Sequence, residues 1–170
     1  MPTHTPYTKD LGDREPIAAI RASAGRYRQL VAGWTSAQFE RTYAPGKWTA
    51  RQILIHLAQS ELALGTRARM ALSTPNYSAQ AFDQDQWMEI ESGRSSGSGG
   101  SGGMSGAEAL DALLALMTMN RAFFEGLSPA DLATTLSHPE YGALTVEWIL
   151  NQLAGHQIHH LHQLERMAQP

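Results

Sequence analysis

The 170-residue chain contains no cysteine. That excludes disulfides, thiolate metal ligands and a cysteine nucleophile, and it agrees with a reducing interior. Any thiol chemistry would have to bring its sulfur with a substrate. There is no basic run either. Lys and Arg number 13 against 16 Asp and Glu, a formal net charge of −3. A nucleic-acid binder would show a positive stripe, so no nucleic-acid partner is expected. No segment approaches the ~20 apolar residues that span a bilayer, and the polar Met1–Gly12 leader lacks the apolar centre of a signal peptide. These absences lead to the expectation of a cytoplasmic protein with no membrane partner. Period-two alternation is missing as well, so no strands are expected.

What is present is helix pattern. The hydrophobic fraction is 42%, enough for one domain over residues 1–170. Asp13 is a candidate cap with Pro16 in the first turn, and Ile17, Ile20, Ala24, Tyr27, Val31 and Trp34 recur at 3–4 spacing to about Gly33. Ser36 is a candidate cap for one short turn containing Phe39. Thr49 and Gln52 form a capping box that opens a second helix to about Leu72, with Ile53, Leu57 and Leu64 inward. A short helix or crossing segment follows over Ala79–Ile90. Ser105 and Glu108 form another capping box, opening a helix to about Gly126 in which Met117 and Met119 read as core filler. Ser128 to Asp131 starts a short turn, His138–Gly142 reads as a loop, and Thr145 caps the last helix, to about Met167. Four long amphipathic helices make an all-α four-helix bundle the economical architecture. The connection between the second and third is long enough to cross the bundle.

Within that connection, thirteen of the fifteen residues 92–106 are Ser or Gly. They read as a flexible loop, in composition an engineered linker or a natural Gly-rich segment. The loop lacks the lysine of a phosphate-binding loop and is assigned no chemistry.

Four of the seven histidines fall within His156–His162. His156 and His160 are four apart and share the face of Ile149, Leu153, Leu164 and Met167, whereas His159 and His162 point away with Gln152 and Arg166. An inward pair at i,i+4 is half a metal site, since imidazoles on adjacent turns reach one ion. The alternative is a pair of buried, hydrogen-bonded histidines. His56, one turn after Ile53 on the edge of its helix's apolar face, is either a core-edge histidine or a third ligand. Trp48, Tyr141 and Trp148 read as packing at helix entries.

Three stretches then coincide. They are Trp48-Thr-Ala-Arg-Gln-Ile-Leu-Ile-His56, Phe82-Asp83-Gln-Asp-Gln-Trp87, and His138-Pro-Glu-Tyr-Gly-Ala-Leu-Thr145 with Trp148 and His156-x-x-His159-His160. Together they resemble the DinB/YfiT-like superfamily from Pro16 onward. The resemblance implies an up-down-down-up four-helix bundle and a divalent ion held by His56, His156 and His160; nitrogen donors suit zinc first and nickel second. It also implies a metal-dependent hydrolase or thiol-dependent S-transferase acting on a small molecule, with a low-molecular-weight thiol as a partner and a homodimer as the assembly. One departure stands out: relatives often carry an acid three residues after the second helix's histidine, where this chain has Gln59.

Function therefore divides. An enzyme would use the ion to activate water or to ionise a thiol. Hydrolysis also needs a general acid or base. Asp83, Asp85 and Glu61 are the available carboxylates, but spacing does not place them, and their ordinary reading is surface solvation or hydrogen bonding around the ligands. No catalytic residue is assigned. The alternatives are a non-catalytic metal- or ligand-binding bundle and a structural bundle that binds metal only incidentally.

Overall fold

The computed structural model describes residues 4–91 and 103–169. Its first helix lies in the segment read from sequence as a loose leader: α1 covers Thr8–Leu11 and buries Leu11. Long helices follow at α2 (Pro16–Leu30), α4 (Ala50–Ser73), α6 (Gly106–Glu125) and α8 (Val146–Met167). Shorter ones stand between them at α3 (Ser36–Phe39), α5 (Gln84–Glu91) and α7 (Pro129–Leu132). Most of the Gly/Ser stretch, at 92–102, lies outside the described residues.

Capping chemistry sets the boundaries. The boxes Thr49/Gln52, Ser105/Glu108 and Ser128/Asp131 all form, and the Thr145 side chain accepts from Trp148 N. Two caps differ from expectation. Glu15, not Asp13, caps α2, because its carboxylate accepts from Ile17 N and Ala18 N while Pro16 takes the first helical position. Thr35, not Ser36, caps α3, because Thr35 has Gln38 at the capping-box distance.

Two strands are present where none was expected: β1 (Thr135–His138) and β2 (Gly142–Thr145) pair antiparallel, with His138 opposite Gly142 and Thr135 opposite Thr145. Four residues per strand are too few for alternation to register. Gly142 takes the positive φ of 70° that the turn requires. The crossover docks on this hairpin, with Ala79 N donating to Ser137 O and Ser137 N to Tyr77 O.

Pairwise contacts give the helix directions. Arg51 reaches Met104 O near the start of α4 and α6, and Arg69 reaches Asn120 further along both, so these helices run parallel. Phe39 packs under Gly106 while Arg21 pairs with Glu125, so α2 runs against α6. His56 meets His160 and Glu61 meets Gln157, so α8 runs against α4. The result is an up-down-down-up bundle around Tyr27, Leu54, Leu113, Met117, Leu153 and Leu164. Met117 is core as read, whereas Met119 is exposed on the outer face of α6.

Candidate metal centre

His56 on α4 and His156 and His160 on α8 are brought together at the bundle interior, 3%, 4% and 7% exposed. His156 Nε2 lies 3.0 Å from His56 Nε2 and 2.9 Å from His160 Nε2, and one nitrogen of each ring lies within 4.8 Å of the other two. A neutral imidazole carries one N–H. His156 Nε2 can therefore donate to one of its neighbours or accept from them, and protons alone leave lone pairs facing each other. A single cation at the centre satisfies all three, so the donor set fits a divalent ion. Burial pushes His56 down to about 3 and His160 down to about 4. It also holds His156 well below its ordinary value, with the neighbouring rings adding to the effect. The rings stay neutral, as metal ligands must.

The surroundings orient the rings. Tyr7, the residue before α1, lies over His156 at a centroid distance of 4.8 Å, and Trp48 lies over His56 at 4.8 Å. Gly155 allows the first contact, because a Cβ there would stand 2.6 Å from Tyr7 O. His160 Nδ1 donates to Gln163 Oε1 at 2.7 Å, and Gln163 Nε2 lies 3.1 Å from His159 Nε2. His159 Nδ1 lies 3.4 Å from the Asp10 carboxylate. The polarity runs one way: an Nε2 ligand puts the His160 proton on Nδ1, Gln163 accepts it and donates onward, and His159 turns its own N–H toward Asp10. His159 and His162 are outward-facing as read, and both approach Asp10.

α4 offers no counterpart. His56 Nδ1 and both amide atoms of Gln59 are buried without a hydrogen-bond partner among the described residues. Glu61, read from sequence as a surface or ligand-supporting acid, is instead 2% exposed. It accepts from Asn120 Nδ2 at 2.7 Å and from Gln157 Nε2, and Arg69 in turn donates to Asn120 Oδ1 at 2.7 Å. Burial raises Glu61 to about 7 against those two donors.

Two cavities open beside the centre. The larger, ≈ 510 Å³, lies between α4 and α8 under the crossover and hairpin, with His56 and His156 in its wall. The smaller, ≈ 320 Å³, has His56, His160 and Trp48 in its wall, with Asp85 and Lys47 beside them. Tyr141 and Trp148 line the larger cavity, so the three aromatics read as helix-entry packing are wall residues. Sequence reasoning also missed Arg67, His138 and Ser60 in the larger wall. The i,i+4 spacing of Ser60 from His56 was the available signal.

The family model of the DinB superfamily matches residues 19–164. A relative from Oceanobacillus iheyensis, named "Putative metal-dependent hydrolase OB0782", is 25% identical over 134 residues, which cover 79% of this chain and 73% of the relative. A "Putative metal-dependent hydrolase" from Geobacillus thermodenitrificans is 30% identical over 82 residues, 48% of this chain and 46% of that protein. The fold matches a solved Bacillus subtilis structure with a TM-score of 0.77 at 22% identity, covering 89% of this chain and 83% of that one. That structure is described as "a probable metal-dependent hydrolase with an unusual four-helix bundle topology".

Proposed function

The chain belongs to the DinB superfamily, and from that premise we propose that it is a metal-dependent enzyme acting on a small molecule. His56, His156 and His160 would hold the ion. One observation carries the reading: three buried imidazole nitrogens converge at the wall of two cavities, within reach of a ligand from outside. Zinc suits three nitrogen donors with an open position, and nickel is the second choice. A divalent ion there supplies Lewis acidity, which makes a water or a small thiol nucleophilic near neutral pH.

The chain's own groups favour thiol transfer over hydrolysis. Asp83 Oδ1 already accepts from Asp85 N and Gln86 N at 3.1 and 3.0 Å. Glu61 is enclosed in its amide network and lines neither cavity. A thiol needs little proton transfer from the protein, whereas a hydrolytic water needs a base. Trp48 and Tyr7 screen the rings from water, and the Gln163 chain orients His160. Hydrolysis is the second reading, supported by Asp85 in the wall shared with His56 and His160.

The test is metal analysis of protein purified without chelator, beside the His56→Ala variant, followed by thiol-transfer and ester or amide hydrolysis screens. The reading expects near-stoichiometric metal in the parent, its loss in the variant, and transfer activity that survives Asp85→Asn. Hydrolysis abolished by Asp85→Asn would favour the second reading. No metal in the parent and none taken up on titration would leave a non-catalytic bundle.

A further inference from the structure

His56, Ser60, Leu64 and Arg67 follow one another along α4, one helical turn apart, and all line the larger cavity. Trp148, Gln152 and His156 line it from α8, which runs the other way. The cavity is therefore a trench along the α4–α8 seam. The histidine centre stands at one end and Arg67, with the hairpin, at the other. Eleven residues separate His56 from Arg67, about 16 Å between Cα atoms.

The far end is equipped for an anion. Arg67 Nη2 donates to Gln80 O at 2.5 Å, which anchors the guanidinium to the crossover. Among the described residues its other N–H groups have no acceptor, and no carboxylate lies within ion-pair distance. Arg67 is half-buried, so its charge is partly stripped of water. His138 lies alongside, and its Nδ1 accepts from Glu140 N at 3.2 Å. Burial and the neighbouring Arg67 charge lower its pKa, against the opposing charge of Glu140. A neutral ring that accepts at Nδ1 carries its proton on Nε2, leaving a second donor without a partner among the described residues. Midway along, Gln152 Oε1 is buried without a partner and waits for a donor. Of the carboxylates in this wall, Asp83 caps α5, and Glu140, exposed in the hairpin turn, acts on Arg67 and His138 from beyond ion-pair distance, so an incoming anion meets its charge as well.

We propose that Arg67 and His138 form an anion subsite for an elongated substrate with a carboxylate or phosphate terminus, whose reacting atom lies some three helical turns away at the histidine centre. Gln152 takes an N–H or O–H from the middle of that molecule. This rests on the metal-enzyme reading above. It narrows the substrate class from any small molecule to an anionic one of matching length.

The test uses the cobalt-loaded protein and ω-mercapto acids of two, six, eight and eleven carbons, each beside the mercapto alcohol of equal length. Binding is followed by the sulfur-to-cobalt absorption band. The expected result is no preference for acid over alcohol at two carbons and about a tenfold preference among the longer chains, the size of one charge-assisted hydrogen bond to a partly buried group. Arg67→Met should remove the preference while leaving cobalt stoichiometry and alcohol binding unchanged, and Lys47→Met in the smaller cavity should leave it intact. Acids and alcohols that bind equally at every length would overturn the proposal without any variant. So would a preference abolished by Lys47→Met and not by Arg67→Met. A protein that takes up no cobalt, or whose cobalt spectrum ignores all thiols, would instead sink the metal-enzyme reading itself.

Discussion

Gln163 stands three residues after His160 and accepts a hydrogen bond from its Nδ1 at 2.7 Å, whereas Gln59 stands three residues after His56 and has no hydrogen-bond partner among the described residues. The two histidine–glutamine pairs share one helical spacing and differ in outcome. Gln163 is also anchored by His159, which turns its carbonyl toward His160. Gln59 has no such anchor.

The difference sets the first expectation. Gln163→Leu should weaken metal binding about tenfold, the usual loss when a ligand's outer hydrogen-bond partner is removed. Gln59→Leu should change metal affinity far less, and it should stabilise the metal-free protein by removing buried, unpaired amide atoms. Competition with a chromogenic chelator and urea melts would check both. Equal affinity losses from the two variants would contradict the asymmetry.

The five histidines near the centre should separate, with three at one extreme, His162 at the other and His159 between them. His56→Ala, His156→Ala and His160→Ala should each abolish tight metal binding, and with it the rise in melting temperature that metal addition produces. His162→Ala should leave both intact. His159→Ala, which releases Gln163, should fall between the groups. Thermal melts with and without added zinc would show the ranking, and a uniform loss across all five would remove the assignment by helix face.

Stability of the metal-free protein should pass through a maximum in weak acid. The folded His56 and His160 values, about 3 and about 4, lie below the ordinary imidazole value. As pH falls, the unfolded chain protonates first, so their contribution is full above about pH 6.5 and is lost on the way down to about 3–4. Glu61 acts in the opposite sense. Its folded value of about 7 lies above the usual 4.5, so its contribution is full below that usual value and is lost as pH rises through about 7. Urea midpoints of chelator-treated protein from pH 4 to 9 would trace both limbs. Glu61→Gln should flatten the alkaline limb and spare the acid one. A parent that grows steadily more stable from pH 6 to 9 would contradict the Glu61 account.

Gly155 and Gly25 should respond oppositely to alanine. A Cβ on Gly155 would stand 2.6 Å from Tyr7 O and 2.8 Å from Tyr7 Cβ, so α1 must shift. The expected cost is about 1–3 kcal/mol, with faster hydrogen exchange at Leu11 N and Gly12 N, which bond within α1. Gly25 meets nothing within 4 Å inside α2, so Gly25→Ala should stabilise by up to ~1 kcal/mol. Exchange at α1 unaffected by Gly155→Ala would show that Tyr7 does not depend on this contact.

Much of this was legible in the chain. Apolar spacing and the Thr49/Gln52, Ser105/Glu108 and Thr145 caps locate the three long helices from Ala50 onward to within a residue or two, because capping and periodicity depend on neighbours three and four residues away. The same local geometry turns His156 and His160 to one face and His159 and His162 to the other. α1 and the hairpin were not legible: one turn and two four-residue strands carry too little pattern, and they persist because Tyr7 seats α1 on Gly155 and His156 of α8 and the crossover bonds to β1.

By itself, the sequence determined the bundle's helices and half of the histidine centre. Each follows from a repeat of 3.6 residues that any local window displays. Tertiary structure decided what that half-site meets. His56 comes to His156 across a separation of 100 residues, Asp10 reaches His159 from a segment with no helical pattern of its own, and Glu61 finds Asn120 and Gln157 instead of water. Helical spacing fixes the direction of a side chain about its own axis, and only the packing of one helix against another decides which side chain it faces.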